Sequence, residues 1–254
     1  MVYDIMNDGQ RKIYEEHLEC DFSFAVPNLA RFRVNAFMQQ NRVGIVLRTI
    51  KSEIPNFEQL QLPSVLKELA LTKRGLTIVV GATGSGKSNT LAALIGHRNE
   101  MSYGHIVTIE DPVEFRLPYV QQIEVDERHG LTMHEGLRTI LRMDPDLILV
   151  GEIRDADSAM VAARAALSGR LVLATIHAQD AAGAIDALHY LGVPHHVIGS
   201  SLRLIIAQNL IRQLCPECAQ PVALGDQDRE LFAQSAMEAP DHLMQAGGCP
   251  DCHS

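Results

Sequence analysis

The run Leu76-Thr77-Ile78-Val79-Val80 is β-branched and almost wholly apolar, and further strand-like runs fall at residues 105–109, 147–150 and 171–175. Between them, apolar positions recur at helical spacing over residues 87–97, 132–142, 156–168 and 180–191. Buried strands that alternate with helices predict an α/β fold, a mostly parallel sheet covered by helices. Residues that favour helix ends agree with this register. Thr132 followed by Glu135 fits a capping box, Asp155 and Asp180 stand where N-caps are wanted, and Gly192 suits a helix end. Beyond Leu202 the apolar positions keep a helical spacing up to the first cysteine pair.

The chain ahead of this pattern is different. Residues 7–18 read as a short helix, and residues 21–26, 30–37 and 44–50 as extended segments. Alternation along the second segment puts Arg31, Arg33 and Asn35 on one side and Phe32, Val34 and Ala36 on the other. Such a basic face is either merely solvated or the means of reaching a neighbour's phosphate; Arg48 closes the next segment. Residues 51–63, with Pro55 and Pro63, read as a linker. The expected organisation is a partial N-terminal α+β domain with linker at 1–63, a nucleotide domain at 64–214 and a cysteine element at 215–254.

With 254 residues, 46% of them hydrophobic, the chain can build one full α/β domain with small appendages. Its longest apolar runs fall short of a bilayer span, and the start Met1-Val2-Tyr3-Asp4 lacks the basic and apolar regions of a secretion signal, so a cytoplasmic location is expected. A formal net charge of −9 argues against a nucleic-acid partner, which would call for a basic surface.

Chemistry enters at Gly81-Ala82-Thr83-Gly84-Ser85-Gly86-Lys87-Ser88, which fits the G-x-x-x-x-G-K-[ST] nucleotide loop at every required position. A strand before and a helix after make the setting right for phosphate. Glycines let successive amides point inward as an anion nest, over which the helix dipole adds partial positive charge. Lys87 should reach the β and γ phosphates and Ser88 should hold Mg²⁺, with Gly81, Thr83, Gly84, Ser85, Gly86 and Asn89 completing the cradle for ATP.

Hydrolysis also needs a positioned water and neutralised charge. Strand 105–109 ends in Glu110-Asp111-Pro112-Val113-Glu114, strand 147–150 in Gly151-Glu152, and strand 171–175 leads to His177. In a parallel sheet these C-terminal ends share one edge with the loop.

Cys20 stands alone and reads as a small core residue. Cys215, Cys218, Cys249 and Cys252 form Cys-x-x-Cys twice, and in a reducing compartment two such pairs point to tetrahedral Zn²⁺ rather than disulfides. Pro216, Pro250 and Gly247-Gly248 supply tight turns around them.

Taken together, these segments resemble the secretion ATPase (GspE/PilB/PilT) superfamily, which drives type IV pili and type II secretion. The motifs that carry the resemblance are the nucleotide loop, the aspartate box Thr108-Ile109-Glu110-Asp111-Pro112-Val113-Glu114, the segment Asp144-Pro145-Asp146-Leu147-Ile148-Leu149-Val150-Gly151-Glu152-Ile153-Arg154-Asp155 and the surroundings of His177. Residues 1–50 are most similar to the retraction branch, whereas the four cysteines are similar to the extension and secretion branch.

The resemblance implies a RecA-like P-loop NTPase core behind a PAS-like domain, working as a hexameric ATPase on an inner-membrane platform protein, peripheral to that membrane. Glu110 would be the general base or water positioner and Glu152 would support Mg²⁺ and the water, with the division between them open. His177 would sense the γ phosphate. Arg33 would contact nucleotide, and Arg31 and Arg48 would supply charge between domains or subunits. The family pattern also extends before Met1 and beyond Cys252, so the chain is expected to be a fragment. Asn89, Arg170 and Ala178 depart from the common motifs, which leaves a nucleotide-binding module with impaired catalysis as one alternative. A nucleic-acid translocase with a zinc module is the other.

Overall fold

The computed structural model describes residues 2–27, 29–50 and 54–252. Lys51, Ser52 and Glu53, the first residues of the expected linker, lie outside them. The chain divides into two compact units, residues 1–209 and 210–254.

The first unit opens with helix α1 (Asp8–His17), started by a reciprocal capping box between Asn7 and Gln10. Strands β1 (Glu19–Val26), β2 (Ala30–Gln39) and β3 (Arg42–Ile50) follow as an antiparallel meander. The alternation read from the sequence holds in space. Phe22, Val34 and Ala36 are buried with Tyr14 and Cys20, while Arg33 pairs across the ladder with Ser23 and Arg48.

Residues 54–63 contain neither helix nor strand, although Phe57 is buried. Then come α2 (Val65–Ala70), β4 (Gly75–Val80), α3 (Lys87–Met101), β5 (Ile106–Glu110), β6 (Gln121–Glu124), α4 (Met133–Ile140), β7 (Leu147–Ile153), α5 (Ala156–Leu167), β8 (Leu171–Ile176), α6 (Ala181–Tyr190), α7 (His195–Ser201) and β9 (Leu202–Ala207). The six strands form one parallel sheet in the order β6-β5-β7-β8-β4-β9.

This order puts the strand–loop–helix unit of β4 among its neighbours rather than at an edge. Successive side chains of each strand go to opposite faces, so Leu76, Ile78, Ile148 and Val150 pack on one side with α4 to α7. Val79, Leu147, Leu149, Leu171 and Leu173 pack on the other with α2 and α3. Thr132, Asp155 and Asp180 each accept a backbone N–H at their helix starts; at Thr132 this is one half of the expected capping box, the return bond from the Glu135 side chain not being formed.

One reading is corrected. The stretch after Leu202, taken from its spacing as helical, is strand β9, paired in parallel with β4 from Leu76↔Leu202 to Val80↔Ala207. A partner strand satisfies its backbone along the sheet, and pairing outweighs a six-residue periodicity.

In the second unit β10 (Ala219–Ala223) and β11 (His242–Ala246) form an antiparallel ribbon, with α8 (Asp226–Gln234) in the connection.

Candidate functional site

A cavity of about 640 Å³ opens at the C-terminal edge of the parallel sheet. Its floor is the turn between β4 and α3. Thr83, Gly84, Gly86, Lys87, Ser88 and Asn89 line it, whereas Gly81 and the buried Ser85 are not among its lining residues. Gly81 has φ +142°, and a Cβ there would sit 2.2 Å from the carbonyl oxygen of Gln208. Only glycine fits. Gln208 therefore buttresses the turn: its N–H donates to Val80 O at 2.9 Å, and its side-chain oxygen accepts from Thr90 Oγ1 on α3 at 2.8 Å. Sequence reasoning missed Gln208, which no motif marks. Lys87 Nζ donates to the carbonyl oxygens of Gly81 and Ala82 at 2.9 and 3.0 Å, so its ammonium is folded over the loop.

Two acidic strand ends face this loop across the cavity. Glu110 ends β5, and its Oε1 accepts from Thr108 Oγ1 at 2.6 Å and from Gln122 Nε2 at 3.0 Å. Burial raises its pKa above the ordinary 4.5, outweighing the hydrogen bonds from Thr108, Gln122 and the Glu114 backbone that lower it. Glu152 lies where the register between β7 and β8 shifts, after Val150. Its Oε1 is 2.5 Å from His177 Nε2, and its Oε2 accepts from Arg154 Nε at 2.5 Å. Gly151 lets the two strand ends close up, since a Cβ there would lie 3.1 Å from Glu110 Cα.

A raised carboxyl pKa carries a stability consequence whose sign is fixed. The folded state favours protonated Glu110, so its contribution is fully present below pH 4.5 and is lost as pH rises through the raised value. A glutamine oxygen can accept the bonds from Thr108 and Gln122 without the buried charge. Glu110→Gln is expected to melt a few degrees higher than wild type at neutral pH, with the gap closing in mild acid. A lower melting temperature for the variant at neutral pH would contradict this.

Of the three arginines singled out from the sequence, Arg48 reaches the cavity wall. Arg31 donates to Ser23 Oγ at 2.9 Å, and Arg33 lies 3.8 Å from Asp21 Oδ2; neither lines the cavity, and both are half-buried on their own meander. The structure also brings in Asp111, Arg154 and Thr175, which the sequence motifs contain without singling out.

In the second unit the two cysteine pairs flank the ribbon of β10 and β11. The four sulfurs lie within 4.8 Å of one another, with Cys215 to Cys249 at 3.9 Å, Cys218 to Cys252 at 3.8 Å and Cys249 to Cys252 at 3.7 Å. A tetrahedral zinc with bonds of about 2.3 Å needs sulfur separations of about 3.8 Å, so the donor set fits that ion. Gly247 permits the approach: its N–H donates to Cys218 O at 3.0 Å, and a Cβ would be 2.7 Å from that oxygen. No helix among the described residues is long and apolar enough to cross a membrane.

Comparison with known proteins places this architecture. The profile of the family described as type II/IV secretion system protein matches residues 1–254. The chain is 46% identical over 224 residues to the type IV pilus retraction ATPase PilT of Pseudomonas aeruginosa, covering 84% of this chain and 65% of that protein. It is 42% identical over 187 residues to the type II secretion system ATPase E of Vibrio cholerae, covering 74% of this chain and 37% of that one. The crystal structure of the pilus retraction motor PilT with bound ADP superposes with a TM-score of 0.73 at 39% identity, over 80% of this chain and 62% of that chain. The chain thus spans less than two thirds of the length of these relatives. With its whole length matched and its cradle, acidic strand ends and sheet order in place, the chain belongs to the type II/IV secretion system protein family.

Proposed function

We propose that this chain is the ATP-hydrolysing part of a hexameric motor that works, peripheral to the inner membrane, on a platform protein of a pilus or secretion machine. One observation carries the reading: the nucleotide loop and two acidic strand ends converge on a single cavity. The names of the relatives, a pilus retraction ATPase and a secretion ATPase, support it.

In this reading the amides of residues 83–88 and Lys87 hold the phosphates, and Thr83, Ser85 and Asn89 complete the cradle around them. Mg²⁺, held by Ser88 with Glu152 in support, would offset charge on the β and γ oxygens. The geometry favours a division of labour between the carboxylates. Glu110 is buried, and the burial that raises its pKa makes its carboxylate a stronger base towards a bound water. Glu152 is held through both carboxylate oxygens, by His177 on one and the Arg154 guanidinium on the other, and so is aimed at the cavity. His177, joined to Glu152, is placed to register the γ phosphate. Arg48 supplies positive charge from the meander, and Arg31 and Arg33, half-buried on the face that carries Arg48, are available to a neighbouring subunit's site. A finger of this kind is worth about 10³ to 10⁵ in rate, which is the physical reason for a ring. The four cysteines hold a structural zinc in the second unit.

Steady-state phosphate release together with ATP binding tests this. Wild type is expected to do both, and Glu152→Ala to bind ATP with turnover reduced at least about 10²-fold. Binding without phosphate release in the wild type would mark a nucleotide-responsive module instead, and undiminished turnover in Glu152→Ala would remove that residue from the mechanism.

A further inference from the structure

Arg154 is not part of the cradle, yet it touches both acidic segments of the cavity. It follows β7 directly and stands two residues after Glu152, which puts the two side chains on one face. Its Nε donates to Glu152 Oε2 at 2.5 Å, and its terminal nitrogen reaches Asp111 Oδ2 at 3.3 Å. Asp111 follows β5, the strand beside β7. One guanidinium thus spans the ends of two neighbouring strands. The two carboxylate oxygens of Glu152 are divided between partners, His177 on Oε1 and Arg154 on Oε2, which fixes the plane of the group.

Structural support alone does not account for this arrangement. The Arg154 side chain is 60% exposed, against 18% for Glu152, and an ion pair so open to water adds little to folding. What it does restrict is the direction in which Glu152 points. A guanidinium is a planar fork that can hold two carboxylates at fixed angles, which a lysine ammonium cannot do. On its other side Arg154 borders a second cavity of about 270 Å³, with Thr132, His134 and Asp155 in the wall. The fork is therefore a partition between that space and the nucleotide cavity, held by its two carboxylates.

We infer that Arg154 is a positioning residue that locks the strand ends carrying Asp111 and Glu152 into one rigid unit aimed at the γ phosphate. This rests on the proposed hydrolysis at the loop. Loss of the fork should leave the cradle intact, so nucleotide affinity stays and the chemical step slows. A misplacement of about 1 Å at a catalytic group costs on the order of 10²-fold in rate, and that is the expected fall in kcat for Arg154→Gln. Arg154→Lys keeps the charge but not the fork and should show most of the same loss. If Arg154 acts through Asp111, the double variant Arg154→Gln/Asp111→Asn should be no slower than Arg154→Gln alone.

The experiment measures kcat, KM and the binding of a fluorescent ATP analogue for the full 254-residue chain and these variants. Loss of kcat at unchanged affinity, shared by the lysine variant and not deepened in the double variant, supports the inference. A near wild-type kcat in Arg154→Gln or Arg154→Lys, affinity falling in step with rate, or losses that multiply in the double variant would overturn it. Should Arg154→Gln not fold, the lysine variant decides alone. A wild-type chain that binds ATP without turnover would sink the hydrolysis reading and this inference with it, whereas an active wild type with indifferent Arg154 variants sinks only the inference.

Discussion

Lys87→Ala is expected to abolish ATP hydrolysis, by at least about 10³-fold, and to weaken ATP binding by about 10- to 100-fold, while the melting temperature changes little. In the structure Lys87 is the cation folded over the turn, its ammonium bonded to two loop carbonyls that water can serve equally well. Removing it costs the fold little. With triphosphate present, the same ammonium would exchange those carbonyls for β and γ oxygens, and among the described residues no other lysine lines the cavity. The charge on the leaving phosphate then has no compensating partner from the loop itself. Phosphate release, equilibrium binding and a thermal melt on one preparation separate these effects; a variant that hydrolyses at the wild-type rate would contradict the placement of the phosphates.

The second large effect belongs to the cysteine cluster. Structural zinc in small domains contributes roughly 10 to 16 kcal/mol of apparent binding, far more than a short ribbon and one helix can gain from packing. No residue of α8 is buried, and among the described residues of the unit Leu224 is the one buried apolar side chain. Without metal, burial and the neighbouring thiol of Cys252 push Cys218 up to about 11, so a bare site would hold that sulfur protonated. Chelation under reducing conditions is expected to release close to one zinc per chain and to expose residues 215–252 to proteolysis and amide exchange. ATP binding should persist, since the nucleotide loop lies in the first unit. Metal content near zero in freshly reduced protein, or protection unchanged by chelation, would contradict a zinc-held unit.

How far the site could be read beforehand depended on how local its causes are. The cradle is legible because eight consecutive residues set both its backbone path and its charge, and the flanking strand and helix declare themselves by period. The helix starts at Thr132, Asp155 and Asp180 were legible for the same reason, each being one side chain on its own backbone. Strand β6, Gln121-Gln122-Ile123-Glu124, was not, because an edge strand of four mostly polar residues has no apolar period to announce it. Strand β9 was misread because Leu202, Ile205 and Ile206 suit a helix face as well as a sheet, and only β4 decides between them.

Function follows the same division. Glu110, Glu152 and His177 could be listed from strand ends, but the pairing of Glu152 with both His177 and Arg154 depends on a register shift within β7. The arginines show the limit most clearly. The sequence reading puts Arg33 on the nucleotide and Arg31 and Arg48 between domains or subunits, yet Arg48 alone of the three reaches the cavity, because that depends on tertiary placement that no local pattern encodes.

All of this turns on triphosphate sitting over Lys87. Titration calorimetry of the folded chain with ATP in the presence of Mg²⁺ addresses it most directly. The account predicts saturable heat from one site per chain, strongly weakened in Lys87→Ala. Absence of heat from wild-type protein shown to be folded in the same cell would contradict it.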